Sequence, residues 1–414
     1  MRLRLAIFGV GLSGQAAKRL ALAQGHEVTL FDEAGGGDKG SFDLSQLARY
    51  DRFIFSPGFA ADHPWRLQAE RSGKRVQSEI SFAAEHWKGH LIGITGTNGK
   101  TTLTHFLAEA LQRAGKNAVF AGNIGQPLSD VILDVENVES AYAVCEISSF
   151  QAELSRGIQL DGLLWTNFAE DHLDRYESMA HYFLAKAELF KCLKPDSVCV
   201  IGPQVVPWLD RVNEPFGRAR IANEDRALMS RLRPDSVFTR FPYSENFALA
   251  AEFWRLTAEP VEALLAAANE FKLAPHRLDV VVGKGGVNYW NDSKSTNFHS
   301  TLAAVQAVPR PIIWIGGGRI KGGNLGAFAK ELAPQIDAAV LYGEAAPQMM
   351  EALTDQLENV RVVPAFDQAV RVASKLAAAC TPANVVLSPG FPSFDQFTSY
   401  EARGKSFNSI VLGL

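Results

Sequence analysis

The stretch "HLIGITGTNGKTTLTHFLAEAL", His90 to Leu111, limits what this chain can fold into more than any other. A short apolar run, a glycine-rich turn, and then Leu103, Phe106, Leu107, Ala110 and Leu111 at helical spacing predict strand, tight loop and amphipathic helix in immediate succession. That succession belongs to α/β sheets whose helices cover the faces. Gly96 and Gly99 free the backbone to wrap phosphate oxygens, Lys100 brings a point charge to the β and γ phosphates, and Thr101 offers a hydroxyl to Mg²⁺. The loop departs from the common P-loop spacing, because Ile94 stands where the first glycine of that motif belongs.

At 414 residues the chain exceeds what one hydrophobic core serves, so two or three domains are expected. An apolar share of 47% and a charged share of 21% exclude a largely disordered chain. The net charge of −4, with no basic stripe, argues against nucleic acid or an acidic membrane as partner. No apolar run approaches the ~20 residues of a bilayer span, and "MRLRLAIFGVGLSG" reads as a first strand rather than a leader. Cys145, Cys192, Cys199 and Cys380 have neither metal-site spacing nor the density of a disulfide scaffold, which fits a reducing cytoplasm.

Three blocks follow one another, with expected boundaries at 1–88, 89–273 and 274–414. The first alternates strand and helix: "LRLAIFGVG", a helix with apolar Ala16, Leu20 and Ala23, then "EVTLFDE" and "DRFIFSPG". In the second, the strands of "AYAVCEISSFQ" and "DGLLWTNFAEDHLDRY" end in polar clusters facing the glycine loop. The third, from "LAPHRLDVV", runs through "PIIWIGGG", "DAAVLYG" and "ANVVLSPG" as a further α/β layer.

Gly9, Gly11 and Gly14 of "GVGLSG", with Asp32 beyond the second strand, match the dinucleotide fingerprint, a turn that brings a helix N-terminus to a diphosphate. It serves a nicotinamide cofactor or any other nucleotide diphosphate, or is a turn without ligand. Glu146 ends an apolar strand and should meet a cation if buried. His172 lies between Asp171 and Asp174, in negative surroundings. Lys186, in "HYFLAKAELF", reads from spacing alone as a helix-surface lysine. In "YWNDSKSTNFHST", Asp292 and Lys294 suit a ribose and a phosphate, and Thr296 and Asn297 a second substrate; like "SPGFPSFDQFTSYEARG", this stretch also reads as a capped helix start.

Together "GTNGKTT", "GNIGQP", "EISSFQ", "EDHLDRY", "PHRLD", "NDSKSTN" and "SPGFPSFDQF", in that order from Gly9 to about Phe407, resemble the Mur ligase family of ATP-dependent amide-forming enzymes, and within it the glutamate-adding branch. The resemblance implies three α/β domains: a Rossmann-like UDP-binding domain, a central P-loop-type ATPase domain and a C-terminal Rossmann-like domain. It implies a monomer that adds D-glutamate to UDP-N-acetylmuramoyl-L-alanine, with ATP as cosubstrate and two Mg²⁺ ions. Gly96, Thr97, Asn98, Gly99, Lys100, Thr101 and Thr102 would hold the phosphates, with Asn246 on adenine and His276, Arg277, Asp292 and Lys294 closing on ATP. Thr101 and Glu146 would serve one Mg²⁺ and His172 the other, while Lys186 stands where the family carries a CO₂-derived carbamate. Gly11, Leu12, Ser13, Gly14, Asp32, Glu33, Ser56, Pro57 and Gly58 would grip UDP, Asn123 the UDP-sugar, and Thr296, Lys321, Ser393 and Tyr400 the amino acid. The glycine-rich first block then needs no redox chemistry, which disfavours the nicotinamide-dependent oxidoreductase; the nearer competitor is a sibling ligase for another amino acid, such as L-glutamate. Leu249, Ile320 and Tyr400 depart from family residues, and 205–240 is short, as if the central domain were trimmed.

Overall fold

The computed structural model describes residues 1–212 and 219–414, so part of the short 205–240 stretch lies outside the described residues. The chain packs as two compact units: Met1–Phe168, Ser178–Thr239 and Tyr243–Phe271 form the first, and Ala169–Glu177, Arg240–Pro242 and Lys272–Leu414 the second.

The first unit holds two parallel sheets. β1 (Arg4–Phe8), β2 (Glu27–Phe31), β3 (Arg52–Phe55) and β4 (Arg75–Ser78) take the order β2-β1-β3-β4. The register sets Phe8 opposite both Phe31 and Phe55, and the Phe8 ring stacks on Phe55 with centroids 4.1 Å apart. This aromatic core carries much of the small sheet's burial energy. In the helix Leu12–Ala23, Ala16 and Leu20 are buried as the periodicity requires, whereas Ala23 is exposed in the last turn.

β5 (His90–Thr95), β6 (Asn117–Gly122), β7 (Ala141–Glu146), β8 (Leu160–Trp165), β9 (Leu193–Ile201) and β10 (Arg220–Ile221) form the second sheet, in the order β10-β9-β8-β5-β7-β6. All its pairings are parallel, so the ends of β5, β7 and β8 share one edge. The helix Lys100–Arg113 leaves that edge and buries the five apolar residues that its periodicity singles out.

The second unit is built on β11 (Asp279–Lys284), β12 (Val287–Asn291), β13 (Ile312–Gly317), β14 (Ala338–Tyr342), β15 (Val360–Val362) and β16 (Ala383–Gly390). Their order is β11-β12-β16-β13-β14-β15, and only the β11–β12 hairpin is antiparallel. Separate apolar clusters cover the two faces, one around Trp314 and Val386 and one around Ile315 and Val385. A strand buried on both faces has room for polar groups only at its ends. Among the described residues no helix is long and apolar enough to cross a membrane.

Glu79 is a buried carboxyl directly after β4, 2% exposed at the start of the helix Glu79–Ala84. Its Oε1 accepts from the Ser129 backbone N–H at 2.8 Å, while Oε2 has no hydrogen-bond partner. Burial pushes its pKa up to about 7 against the help of Ser129, and Asp130 adds to the rise. The folded chain therefore keeps this proton to higher pH than the unfolded chain, and stability falls as pH rises from the ordinary glutamate pKa to about 7. Glu79→Gln is expected to remove about 3 kcal/mol of that fall and to raise stability at about pH 8. Urea unfolding at about pH 5 and about pH 8 checks this; an unchanged pH slope in the variant contradicts it.

Candidate active site

In the first unit the turn between β5 and its helix is shaped by what surrounds it. Gly96 has φ +139°, and a Cβ there would lie 1.9 Å from Thr166 Oγ1; Gly99 has φ +82°, and a Cβ would lie 2.6 Å from Asn246 Oδ1. Neither position tolerates a side chain. The residues that crowd the turn also hold it. Thr97 N–H donates to Asn167 O at 3.0 Å, Asn98 N–H to Asn167 Oδ1 at 2.9 Å, and Thr166 Oγ1 to Asn98 O at 2.6 Å. Asn246 Nδ2 donates to Gly99 O at 3.3 Å. Lys100 Nζ curls back onto Gly96 O and Thr97 O at 3.0 and 2.9 Å, which places its charge over the loop. Beneath it opens the helix Lys100–Arg113, whose first-turn N–H groups and dipole favour an anion.

Beside the loop, Glu146 ends β7 at 3% exposure. Its Oε2 accepts from Thr101 Oγ1 at 2.8 Å and its Oε1 from Asn123 Nδ2 at 2.9 Å. The sequence points to a cation here; the carboxylate's partners within the protein are two neutral donors. That set suits Mg²⁺, which takes hard oxygens, often one or two carboxylates completed by substrate phosphates. Among the described residues no cluster of three or more His, Cys, Asp or Glu could hold a metal ion by itself.

Lys186 corrects the surface reading made from spacing: it is 1% exposed. Its Nζ donates to Gly96 O at 2.9 Å and lies 5.0 Å from the Tyr182 ring centroid. The inward turn of the helix Met179–Ala187 is set by Tyr182, Phe183 and Ala187, buried with it, so one face carries three apolar residues and one amine.

Around β1 the dinucleotide-like turn is present, with Gly11 capping the helix that begins at Leu12 and continues through Ser13 and Gly14. Asp32 accepts from Val10 N–H at 3.0 Å and Ala34 N–H at 2.9 Å, so it ties the loops after β1 and β2 together. Glu33 reaches His63 at 3.5 Å. Ser56, which precedes Pro57 and Gly58 after β3, has a buried hydroxyl with no hydrogen-bond partner, a group that a ligand oxygen would satisfy.

The second unit gathers another polar set. His172 has φ 57° and His276 φ 66°, backbone conformations that cost energy for a residue with a Cβ and persist where surroundings impose them. Asp171, which sequence reading noted only as a neighbour of His172, is the centre of this set. It accepts from Lys321 Nζ, from Asn297 Nδ2 at 2.9 Å and from His172 N–H at 2.8 Å. Burial opposes its ionisation, but Lys321 and His172 outweigh burial and hold the carboxyl below its usual range. Asp171, His172, Asn297 and Lys321 line one small cavity.

Asp292 lies just beyond β12 and is buried, accepting from the Ser295 and Ser388 hydroxyls at 2.5 and 2.8 Å; burial pushes its pKa up to about 7. Arg277 is the charge that pulls in the opposite direction. His276 Nδ1 meets Asn291 Nδ2 at 3.0 Å, and Lys294 Nζ stands 4.0 Å from the Tyr400 ring centroid. Thr296 is half-buried on the same loop, and Ser393 has a buried hydroxyl without a partner. Sequence reasoning missed Asn167 and Thr166 as the struts of the glycine turn, and Asp171 as the partner of Lys321; only the acidic flank of "EDH" signalled the last.

A lysine-bearing glycine turn and a buried carboxylate–hydroxyl pair on the carboxyl edge of a parallel sheet define a phosphate-handling α/β enzyme. The chain matches the models of the Mur ligase middle domain over residues 94–224 and of the Mur ligase, glutamate ligase domain, over 276–390. It is 31% identical to the UDP-N-acetylmuramoylalanine--D-glutamate ligase of Gloeobacter violaceus, across 99% of each chain. The fold matches a pseudomurein peptide ligase type C from Methanothermus fervidus across 100% of both chains, with a TM-score of 0.60 at 15% identity. It also matches the MurF ligase of Thermotoga maritima in complex with ADP, across 90% of this chain and 97% of that one, with a TM-score of 0.59 at 16% identity. The chain belongs to the Mur ligase family.

Gly96→Ala is expected to destabilise the first unit by about 1–3 kcal/mol and to abolish nucleotide binding, because the new methyl must displace Thr166 and with it the hold on Asn98. Urea unfolding together with a titration of ATP checks both effects; wild-type affinity in the variant contradicts the geometry.

Proposed function

We propose that this chain joins D-glutamate to UDP-N-acetylmuramoyl-L-alanine in cytoplasmic peptidoglycan precursor synthesis, as an ATP-dependent, ADP-forming amide ligase. The observation that carries the reading is the glycine turn with Lys100 folded over it and the Thr101–Glu146 pair beside it. The likeness to D-glutamate ligases along nearly the whole chain supports the choice of substrates.

Three working parts follow, assigned to 1–88, 89–273 and 274–414. The Rossmann-like first part takes UDP through Gly11 to Gly14, Asp32, Glu33 and Ser56 to Gly58, with Asn123 towards the sugar. The P-loop-type second part takes the ATP phosphates on Gly96 to Thr102 and adenine near Asn246. His276, Arg277, Asp292 and Lys294 of the Rossmann-like third part serve ATP, and Thr296, Lys321, Ser393 and Tyr400 take the amino acid. We assign Thr101 and Glu146 to one Mg²⁺ and His172 to a second, and Lys186, as a carbamate, to the metal-binding groups. When bound, these ions offset the negative charge of converging phosphate and carboxylate oxygens.

In the first step a carboxylate oxygen of the UDP-linked L-alanine attacks the γ-phosphorus, the bond to the β-phosphate oxygen breaks, and ADP leaves. Lys100 stabilises the charge that builds on the transferred group. The acyl phosphate now has a good leaving group. The amine of glutamate, having lost its extra proton to solvent, attacks the acyl carbon; the tetrahedral intermediate collapses to the amide and inorganic phosphate. Lys321, held by Asp171 and so fixed in place, is suited to a substrate carboxylate.

Phosphate release with ATP, Mg²⁺ and UDP-N-acetylmuramoyl-L-alanine, compared for D-glutamate, L-glutamate and other amino acids, tests the reading. Turnover with D-glutamate alone supports it; turnover only with another amino acid assigns a sibling step, and silence with all overturns it. Lys100→Ala is expected to lower kcat by at least about a hundredfold with the fold intact, as read by circular dichroism. Lys186→Ala is expected to lose activity that acetate partly restores; a variant that stays active and indifferent to acetate removes the carbamate.

A further inference from the structure

The helix Tyr400–Leu412 carries a guanidinium that none of the assignments above uses. Arg403 is 0% exposed. Its Nε donates to Ser293 Oγ at 2.9 Å, its Nη2 to Ser293 O at 2.8 Å, and its Nη1 to Phe391 O at 3.0 Å and to Tyr342 Oη at 3.4 Å. Every one of these acceptors is neutral. A buried cation normally stands against a carboxylate, because neutral acceptors only partly offset the cost of desolvation. The nearby acid, Asp395, accepts from the Glu344 N–H through Oδ2 at 3.2 Å and leaves Oδ1 buried without a hydrogen-bond partner, forming no ion pair with Arg403.

The position of the guanidinium explains what it holds. Ser293 follows β12, Phe391 follows β16 and Tyr342 ends β14, so one planar group joins three chain segments at the carboxyl edge of the third sheet. Ser293 Oγ passes the link on, donating to Tyr400 O at 2.9 Å. The tied segments bear Thr296, Ser393 and Tyr400, assigned above to the amino acid, as well as Lys294, assigned to ATP. Lysine could not replace this fork, since it lacks the fixed planar array of donors.

We propose that Arg403 is a positioning residue for the amino-acid end of the site: it locks the Ser293 and Phe391 loops together, and its unpaired buried charge makes that end select an acidic amino acid over its neutral amide. The inference rests on the ligase reading given above. An amino acid whose side chain is anionic meets a standing positive field there, whereas the amide gains little.

Full-length Arg403→Met and Arg403→Lys are compared with the wild type for kcat and KM towards D-glutamate, D-glutamine and ATP. Arg403→Met is expected to raise the KM for glutamate about tenfold or more, raise that for ATP by less, and lower the preference for glutamate over glutamine about tenfold. Arg403→Lys, which keeps charge and loses the fork, should recover part of that preference but not the low KM. An unchanged KM and preference in Arg403→Met, or a uniform loss of kcat for all substrates, overturns the proposal. Should Arg403→Met not fold, Ser293→Ala, which deletes one acceptor, is expected to raise the glutamate KM several-fold and the ATP KM by less; unaltered kinetics again overturn it. If the wild type turns over no amino acid, the ligase reading falls, and hydrogen exchange in Arg403→Lys judges the clamp. Faster exchange in both 291–297 and 391–400 supports it, and unchanged exchange overturns it.

Discussion

The chemistry of the first unit depends on a turn in which no side chain fits. Gly96 and Gly99 sit against Thr166 and Asn246 so closely that a methyl group would displace either. That contact lets the strand ends meet: Thr166 and Asn167, just after β8, hold the loop from one side, and Lys186 caps Gly96 O from another. Glu146 reaches Thr101 only because β7 lies next to β5 in register, with Ile94 opposite Glu146. A parallel sheet puts all these ends on one edge, so one steric constraint at the glycines orders groups from four parts of the chain.

Charge is distributed by the same logic. The interiors of the sheets are apolar, and several buried ionisable groups stand where strands stop: Glu146 at the end of β7, Asp292 after β12, and Arg403 against the ends of β12, β14 and β16. At those ends neutral hydroxyls, amides and carbonyls are available to replace lost water, which is what keeps a buried charge from being prohibitive. Glu79, directly after β4, lacks such partners on one oxygen. With one oxygen unpartnered and only a backbone N–H on the other, burial raises its pKa to about 7.

Departures from family residues also have a place in the packing. Leu249 is 1% exposed in the helix Tyr243–Thr257, on the same helix as Asn246, and so contributes burial. Ile320 packs against the apolar cluster around Trp314, where an acidic side chain would lose its water. Tyr400 keeps an aromatic ring, and that ring lies under the Lys294 ammonium.

The sequence by itself determined the strand–turn–helix units, the glycine turn with its lysine, and the acidic ends of the strands, because each is a local matter of spacing and residue type. Leu103 to Leu111 mark a buried helical face, and "GTNGKTT" marks a phosphate turn, whatever lies around them. Only the tertiary structure decided that Lys186 faces inward, that Asp171 pairs with Lys321 across 150 positions of the chain, and that Arg403 joins three loops. Spacing fixes the face of a helix on which a residue lies but not what packs against that face. A lysine amid apolar residues therefore reads as surface until the sheet that covers it is known. Contacts between distant segments follow from strand order, and that order is settled by the burial of whole sheets rather than by any one stretch of residues.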